Sequence, residues 1–193
     1  MIKTFFQLLL VGLLSINSAI AADSLYKIGA GDTIRIKVYG EDTLSMDELK
    51  IDNRESIDYP YLGEIQLGGK TLEQLQKEIT NGLKGDYLID PKVNVAIVRY
   101  RNVYINGLVN SPGGYEYEPG LTVQKAISLA GGVMSKYRRS AKAYITKASD
   151  SSKYQNLSNK ELADAFEKDT ENEVEPYQRI HPGDTIYVVA SFW

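Results

Sequence analysis

Very few side chains in this sequence could carry covalent or acid–base chemistry. The 193 residues include no cysteine and a single histidine, His181. That removes thiolate nucleophiles, disulfide staples and Cys/His zinc sites, and leaves almost nothing for a His-based triad. The carboxylates worth weighing are Asp32 and Asp184, because they occupy an internal echo. Ile28-Gly29-Ala30-Gly31-Asp32-Thr33-Ile34 and Ile180-His181-Pro182-Gly183-Asp184-Thr185-Ile186 share Gly-Asp-Thr-Ile, each opening an alternating strand. A carboxylate pair could serve general acid–base catalysis. Each Asp, however, has a sufficient local role: glycine supplies the positive φ of a turn, and the carboxylate accepts backbone N–H bonds within it. Gly29-Ala30-Gly31 enters a strand instead of a helix N-terminus, so it is no phosphate cradle. His181, beside Pro182-Gly183, reads as an exposed turn residue. No catalytic, cofactor-binding or metal-binding residue is nominated. The residues singled out are turn formers: Gly29, Gly31, Asp32, Pro112, Gly113, Gly131, Gly132, Gly183 and Asp184.

Composition narrows the partners. With 22 basic against 25 acidic side chains and a net charge of -3, the chain has no electrostatic footprint for a nucleic-acid backbone. Its 43% hydrophobic and 24% charged residues are ordinary for a globular protein. Tyrosine is the departure: 14 Tyr stand beside 4 Phe and 1 Trp. Aromatic rings with a polar tip suit half-buried strands and wet interfaces, and they also suit stacking on sugar faces.

The elements that must position these residues begin after a targeting segment. Met1-Ile2-Lys3 is a short basic start, Phe5 to Leu14 is apolar, and Ala19-Ile20-Ala21 is a small-x-small cleavage pattern. The apolar run falls short of the roughly 18–20 residues that cross a bilayer. A cleavable signal peptide over residues 1–21 is therefore expected, with a mature protein starting at Ala22 and exported to the periplasm.

A first unit is expected over residues 22–100. Ile34, Ile36 and Val38 alternate with polar residues as a half-buried strand, and Ile57 to Gly63 is extended, with Pro60 forcing an edge or bend. Thr71-Leu72-Glu73-Gln74 is a capping box, and Leu72, Leu75, Ile79 and Leu83 line one face of a helix ending near Gly85. Val93, Val95 and Ile97 alternate again. A second unit, residues 101–193, opens with Val103-Tyr104-Ile105, reverses through Asn110-Ser111-Pro112-Gly113-Gly114, and returns through Tyr115 and Tyr117. Thr122 caps a helix with Val123, Ala126, Ile127 and Ala130 on one face, stopped by Gly131-Gly132. Ala143 to Thr146 is a strand, and Ile180 to Val189 closes the unit. Between them an acidic insertion near residues 149–175 carries one short helix, opened by the capping box Ser158-Asn159-Lys160-Glu161.

In that order, Tyr26 to Asp32, Tyr59-Pro60-Tyr61-Leu62-Gly63, Gly69-Lys70-Thr71-Leu72 and Asp90-Pro91-Lys92-Val93 resemble the outer-membrane polysaccharide export family. Val103 to Val109, Pro112 to Tyr115, Leu121 to Gly132 and Pro182 to Val188 are similar to a soluble-ligand-binding β-grasp (SLBB) domain. The resemblance implies an α+β fold: a small export domain followed by a β-grasp SLBB domain. It also implies a non-catalytic function without cofactors, as a homo-oligomeric ring that passes polysaccharide toward the outer membrane, supplied by an inner-membrane copolymerase. Three departures stand out. The sequence has no acylatable cysteine, it carries no amphipathic pore helix after the last strand, and Arg54-Glu55-Ser56 replaces an acidic-Gly turn. From the first two, the expectation is a periplasmic protein that reaches the outer membrane through a separate β-barrel partner, with Phe192 and Trp193 as a possible docking tip. Two alternatives stay open: a soluble periplasmic carbohydrate- or ligand-binding module, and a small outer-membrane β-barrel.

Overall fold

A computed structural model of the protein describes residues 26–147, 149–168 and 172–190. The expected signal peptide and the Phe192–Trp193 tip lie outside the described residues. The first core is built on β1 (Thr33–Val38), flanked antiparallel by β2 (Met46–Lys50) and β5 (Val93–Arg99) in the order β2-β1-β5. Period-2 alternation sends Ile34, Ile36 and Val38 to one face, where all three are fully buried. That face is covered by α1 (Leu72–Leu83), which lies against β5. Its start is a complete capping box: the Gln74 amide N–H donates to Thr71 Oγ1 at 3.2 Å, and the Thr71 N–H to Gln74 Oε1 at 2.9 Å. Leu75, Ile79 and Leu83 recur at helical spacing and are fully buried. The segment around Pro60 is a hairpin of β3 (Ser56–Tyr59) and β4 (Gly63–Gln66). Tyr59 anchors it, with a buried ring and a hydroxyl that donates to the Leu44 carbonyl at 2.6 Å.

The second core surrounds a four-stranded sheet in the order β7-β6-β9-β8, formed by β6 (Val103–Gly107), β7 (Gly113–Tyr115), β8 (Ala141–Thr146) and β9 (Thr185–Ala190). β6 and β9 run parallel at its centre, and the outer pairs are antiparallel. The helix α2 (Val123–Leu129) starts at Thr122, whose hydroxyl accepts the Lys125 N–H at 3.4 Å, and it buries Val123 and Ala126. Inward-facing Val103, Ile105, Ile186 and Val188 share this core with it. The opposite face is covered by α3 (Asn159–Lys168), the helix of the acidic insertion. Its Phe166 stacks on Tyr144 and Tyr154, with ring centroids 4.6 and 4.8 Å away. Covering both faces makes every residue of β9 buried, which accounts for its continuous apolar run. The fold is thus mixed α+β, and its three sheets close into no barrel among the described residues.

Several elements differ from the sequence reading, and β8 starts at Ala141 instead of Ala143. β2, Met-Asp-Glu-Leu-Lys, lacks the alternation that marks a strand; it forms beside β1, where only Met46 and Leu49 need partial cover. Tyr117 lies past the end of β7 and packs edge-on against Tyr100 at 5.2 Å. The last strand starts at Thr185, since Ile180 to Asp184 form the turn.

Candidate functional site

The two Gly-Asp turns are the most polar features of the interior. Gly31 and Gly183 have φ of +93° and +88°, a conformation that favours glycine. It lets each following Asp fold its carboxylate back over the turn. Asp184 Oδ2 accepts the His181 N–H at 2.9 Å, and Lys147 Nζ lies 3.3 Å from Oδ1. His181 itself is 68% exposed. Asp32 is the more heavily used group, and its side chain has no solvent exposure. Its carboxylate accepts the Gly29 N–H at 2.9 Å, the Tyr26 hydroxyl at 2.7 Å and the Arg101 backbone N–H at 2.8 Å. The Arg101 guanidinium adds an ion pair at 3.1 Å. A buried carboxylate needs such company, because without it desolvation would be prohibitive.

Arg101 joins the two turns. While Nη1 holds Asp32, Nε donates to the Pro182 carbonyl at 3.1 Å, within the second Gly-Asp turn. The planar fork suits that double reach. Gly29 is required by this approach: a Cβ there would stand 2.4 Å from Arg101 Nη1. Aromatic rings frame the joint, with the guanidinium 5.5 Å from the Tyr26 ring centre and Tyr26 edge-on to Tyr100 at 5.1 Å. Burial drives the Tyr26 phenol far above its ordinary value, and the adjacent Asp32 carboxylate adds to the shift. Beyond Arg101, the Gly183 N–H donates to the Asn102 carbonyl at 3.0 Å, and the Tyr104 N–H to the Asp184 carbonyl at 3.0 Å.

Glu55 also takes part in the first turn. It holds φ of +55°, a conformation that favours glycine, and its carboxylate accepts the Ala30 N–H at 2.8 Å. The side chain therefore secures the first turn from outside while its backbone takes the turn conformation.

Beside this joint lies a cleft of about 630 Å³, whose walls include Thr33, Lys50 and Arg99 from the first sheet and Tyr104, Asn106 and Tyr187 from the second. Both Asp turns are legible in the sequence, whereas Arg101 and the cleft are not. Asp32 and Arg101 are 69 residues apart, and no local spacing signals such a pair. Among the described residues, no group of three or more His, Asp or Glu side chains is placed to hold a metal ion, and no helix is long and apolar enough to cross a membrane.

Fold and joint together define a two-unit α+β protein in which a sheet-and-helix unit is clamped to a β-grasp unit. Residues 20–98 match the family of polysaccharide biosynthesis/export proteins, and residues 102–148 match the SLBB domain. By these matches the first unit is that of the polysaccharide export proteins and the second is an SLBB domain. It is 30% identical to the exopolysaccharide production protein ExoF of Rhizobium meliloti over 167 residues, covering 78% of this chain and 39% of that protein. Over 143 residues it is 27% identical to the EPS I polysaccharide export outer membrane protein EpsA of Ralstonia nicotianae, covering 61% and 37%. With the polysialic acid transport protein KpsD of Escherichia coli it shares 26% identity over 110 residues, covering 56% and 20%. The chain thus spans two fifths or less of the length of these relatives.

Proposed function

We propose that the protein is a non-catalytic component of a machine that exports capsular or secreted polysaccharide through the periplasm toward the outer membrane. The observation that carries this reading is the succession of an export-family unit and an SLBB unit, clamped through Asp32, Arg101 and Pro182. A division near residue 100, at the clamp, fits both the family matches and the two hydrophobic cores. A conduit for a hydrated polymer works through many weak contacts, since one tight site would stall transport. The Gly-Asp residues then act as structural fasteners of the conduit wall. The finer parts of the reading rest on the family resemblance: a homo-oligomeric ring, an inner-membrane copolymerase that feeds it, a separate outer-membrane β-barrel that receives the polymer, and a cleaved signal peptide. Deleting the gene and quantifying polysaccharide in the medium tests the proposal. Secreted polymer falls and returns on complementation if it holds; unchanged secretion refutes it.

A further inference from the structure

The cleft beside the Arg101 joint has a chemistry of its own. Thr33 pairs with Lys50 on one side and Arg99 on the other. Residues directly opposite across strands share a sheet face, so Lys50 and Arg99 flank Thr33 on the face away from the first core, with backbones roughly 10 Å apart. Both are exposed, and neither makes an ion pair among the described residues. Arg101, by contrast, is neutralised by Asp32. Glu116 is the carboxylate in the lining, which leaves the cleft one positive charge in excess.

The facing wall is of another kind. Tyr104 and Asn106 alternate outward from β6, with Thr185 and Tyr187 beside them on β9. Tyr104 is 48% exposed and lies against Gly114, where a Cβ would meet its ring at 3.1 Å. The Tyr187 hydroxyl is buried without a protein hydrogen-bond partner of good geometry, next to Asn106. Asn106, Gln155 and Tyr187 also border a second cavity of about 430 Å³, which continues the cleft beneath the segment leading to α3. Aromatic rings with amides and hydroxyls match the faces and edges of sugars, while unpaired cations match carboxylates.

We infer that this cleft is a subsite for an acidic saccharide, with Lys50 and Arg99 reading the carboxylate, Tyr104 stacking on the ring, and Asn106, Gln155 and Tyr187 bonding its hydroxyls. The inference rests on the export reading for the source of its ligand and adds a class of polymer to it. Two exposed charges separated by a strand give modest, salt-sensitive binding, as a transported chain requires.

Calorimetric titration of the purified protein with galacturonic acid hexamers, against glucose hexamers, is the test. The acidic hexamer binds and weakens with salt, and Lys50→Gln with Arg99→Gln reduces its affinity by about tenfold or more. Tyr187→Phe, which keeps the ring packing, weakens it by a few-fold. Equal binding of both hexamers, no binding of the acidic one, or unchanged affinity in the folded double variant overturns the inference. Secretion assays separate it from the broader reading. If deletion abolishes secretion while the double variant secretes normally, the subsite falls and the export role stands; if deletion has no effect, the export role falls.

Discussion

Arg101→Ala tests whether the joint between the two Gly-Asp turns holds the molecule together. The substitution removes the ion pair to Asp32 at 3.1 Å, the bond to the Pro182 carbonyl at 3.1 Å, and the cation above the Tyr26 ring. It leaves a carboxylate with no solvent exposure. Removing one partner of a buried pair typically costs about 3–5 kcal/mol. Here Asp32 retains the Tyr26 hydroxyl and the Gly29 and Arg101 backbone N–H groups, so about 2–4 kcal/mol is expected. In urea that moves the unfolding midpoint down by roughly 1–2 M at unchanged slope. Arg101→Lys falls between, because an ammonium keeps the charge but lacks the fork that also reaches Pro182. Combining Arg101→Ala with Asp32→Asn supplies a control: without a buried charge to strand, the two losses should fall short of additive by about 1 kcal/mol or more. A midpoint change for Arg101→Ala worth less than about 0.5 kcal/mol, or additivity within that margin, would show that Arg101 does not hold the joint.

Other perturbations follow from single contacts. A Cβ at Gly107 would stand 2.1 Å from the Val188 carbonyl oxygen at φ of +89°. Gly107→Ala is therefore expected to lose about 3 kcal/mol or more and to lower Tm by roughly 6–12 °C. Gly40→Ala, also at positive φ but with open space around it, should lose only about 1 kcal/mol; equal melting of the two variants would contradict this. Burial pushes the Tyr59 phenol up to about 12, above its unfolded value, so its contribution is complete below about pH 10 and is lost as pH rises toward the folded value. Unfolding midpoints across that range should fall less steeply for Tyr59→Phe, which at neutral pH is less stable by about 1 kcal/mol for the unpaired Leu44 carbonyl. Phe166→Ala removes the ring stacked between Tyr144 and Tyr154. It should cost about 3–5 kcal/mol and reduce helical circular dichroism as α3 detaches; retained helicity and stability would show that α3 is not held by this stack.

Local features were the legible ones. Both capping boxes could be read as four-residue patterns, and the structure closes each through reciprocal bonds, at Thr71 with Gln74 and at Ser158 with Glu161. The apolar stripe of α1 was readable because three leucine or isoleucine side chains repeat on one face. What escaped depends on distant partners. β2 has no pattern of its own and exists because β1 offers it an edge. Arg101 looks like an ordinary basic residue until the chain folds and brings Asp32 and Pro182 to it, from 69 residues before and 81 after. The Gly-Asp-Thr-Ile echo identified two turns, while their meeting at one guanidinium is a tertiary property. The cleft was hidden for the same reason: Lys50 and Arg99 lie 49 residues apart in sequence and become neighbours only through their shared pairing to Thr33.

Export moves the polymer, and that movement must be distinguished from its synthesis. Cells given a pulse of labelled sugar can be separated into medium and cell-retained fractions, and the labelled polysaccharide in each measured in the deletion strain and its complemented counterpart. If the protein acts in export, the deletion strain still makes labelled polymer but retains it, and the wild-type chain restores the extracellular share. An unchanged extracellular share in the deletion strain, or a loss of total labelled polymer with no retained fraction, would contradict a role in export.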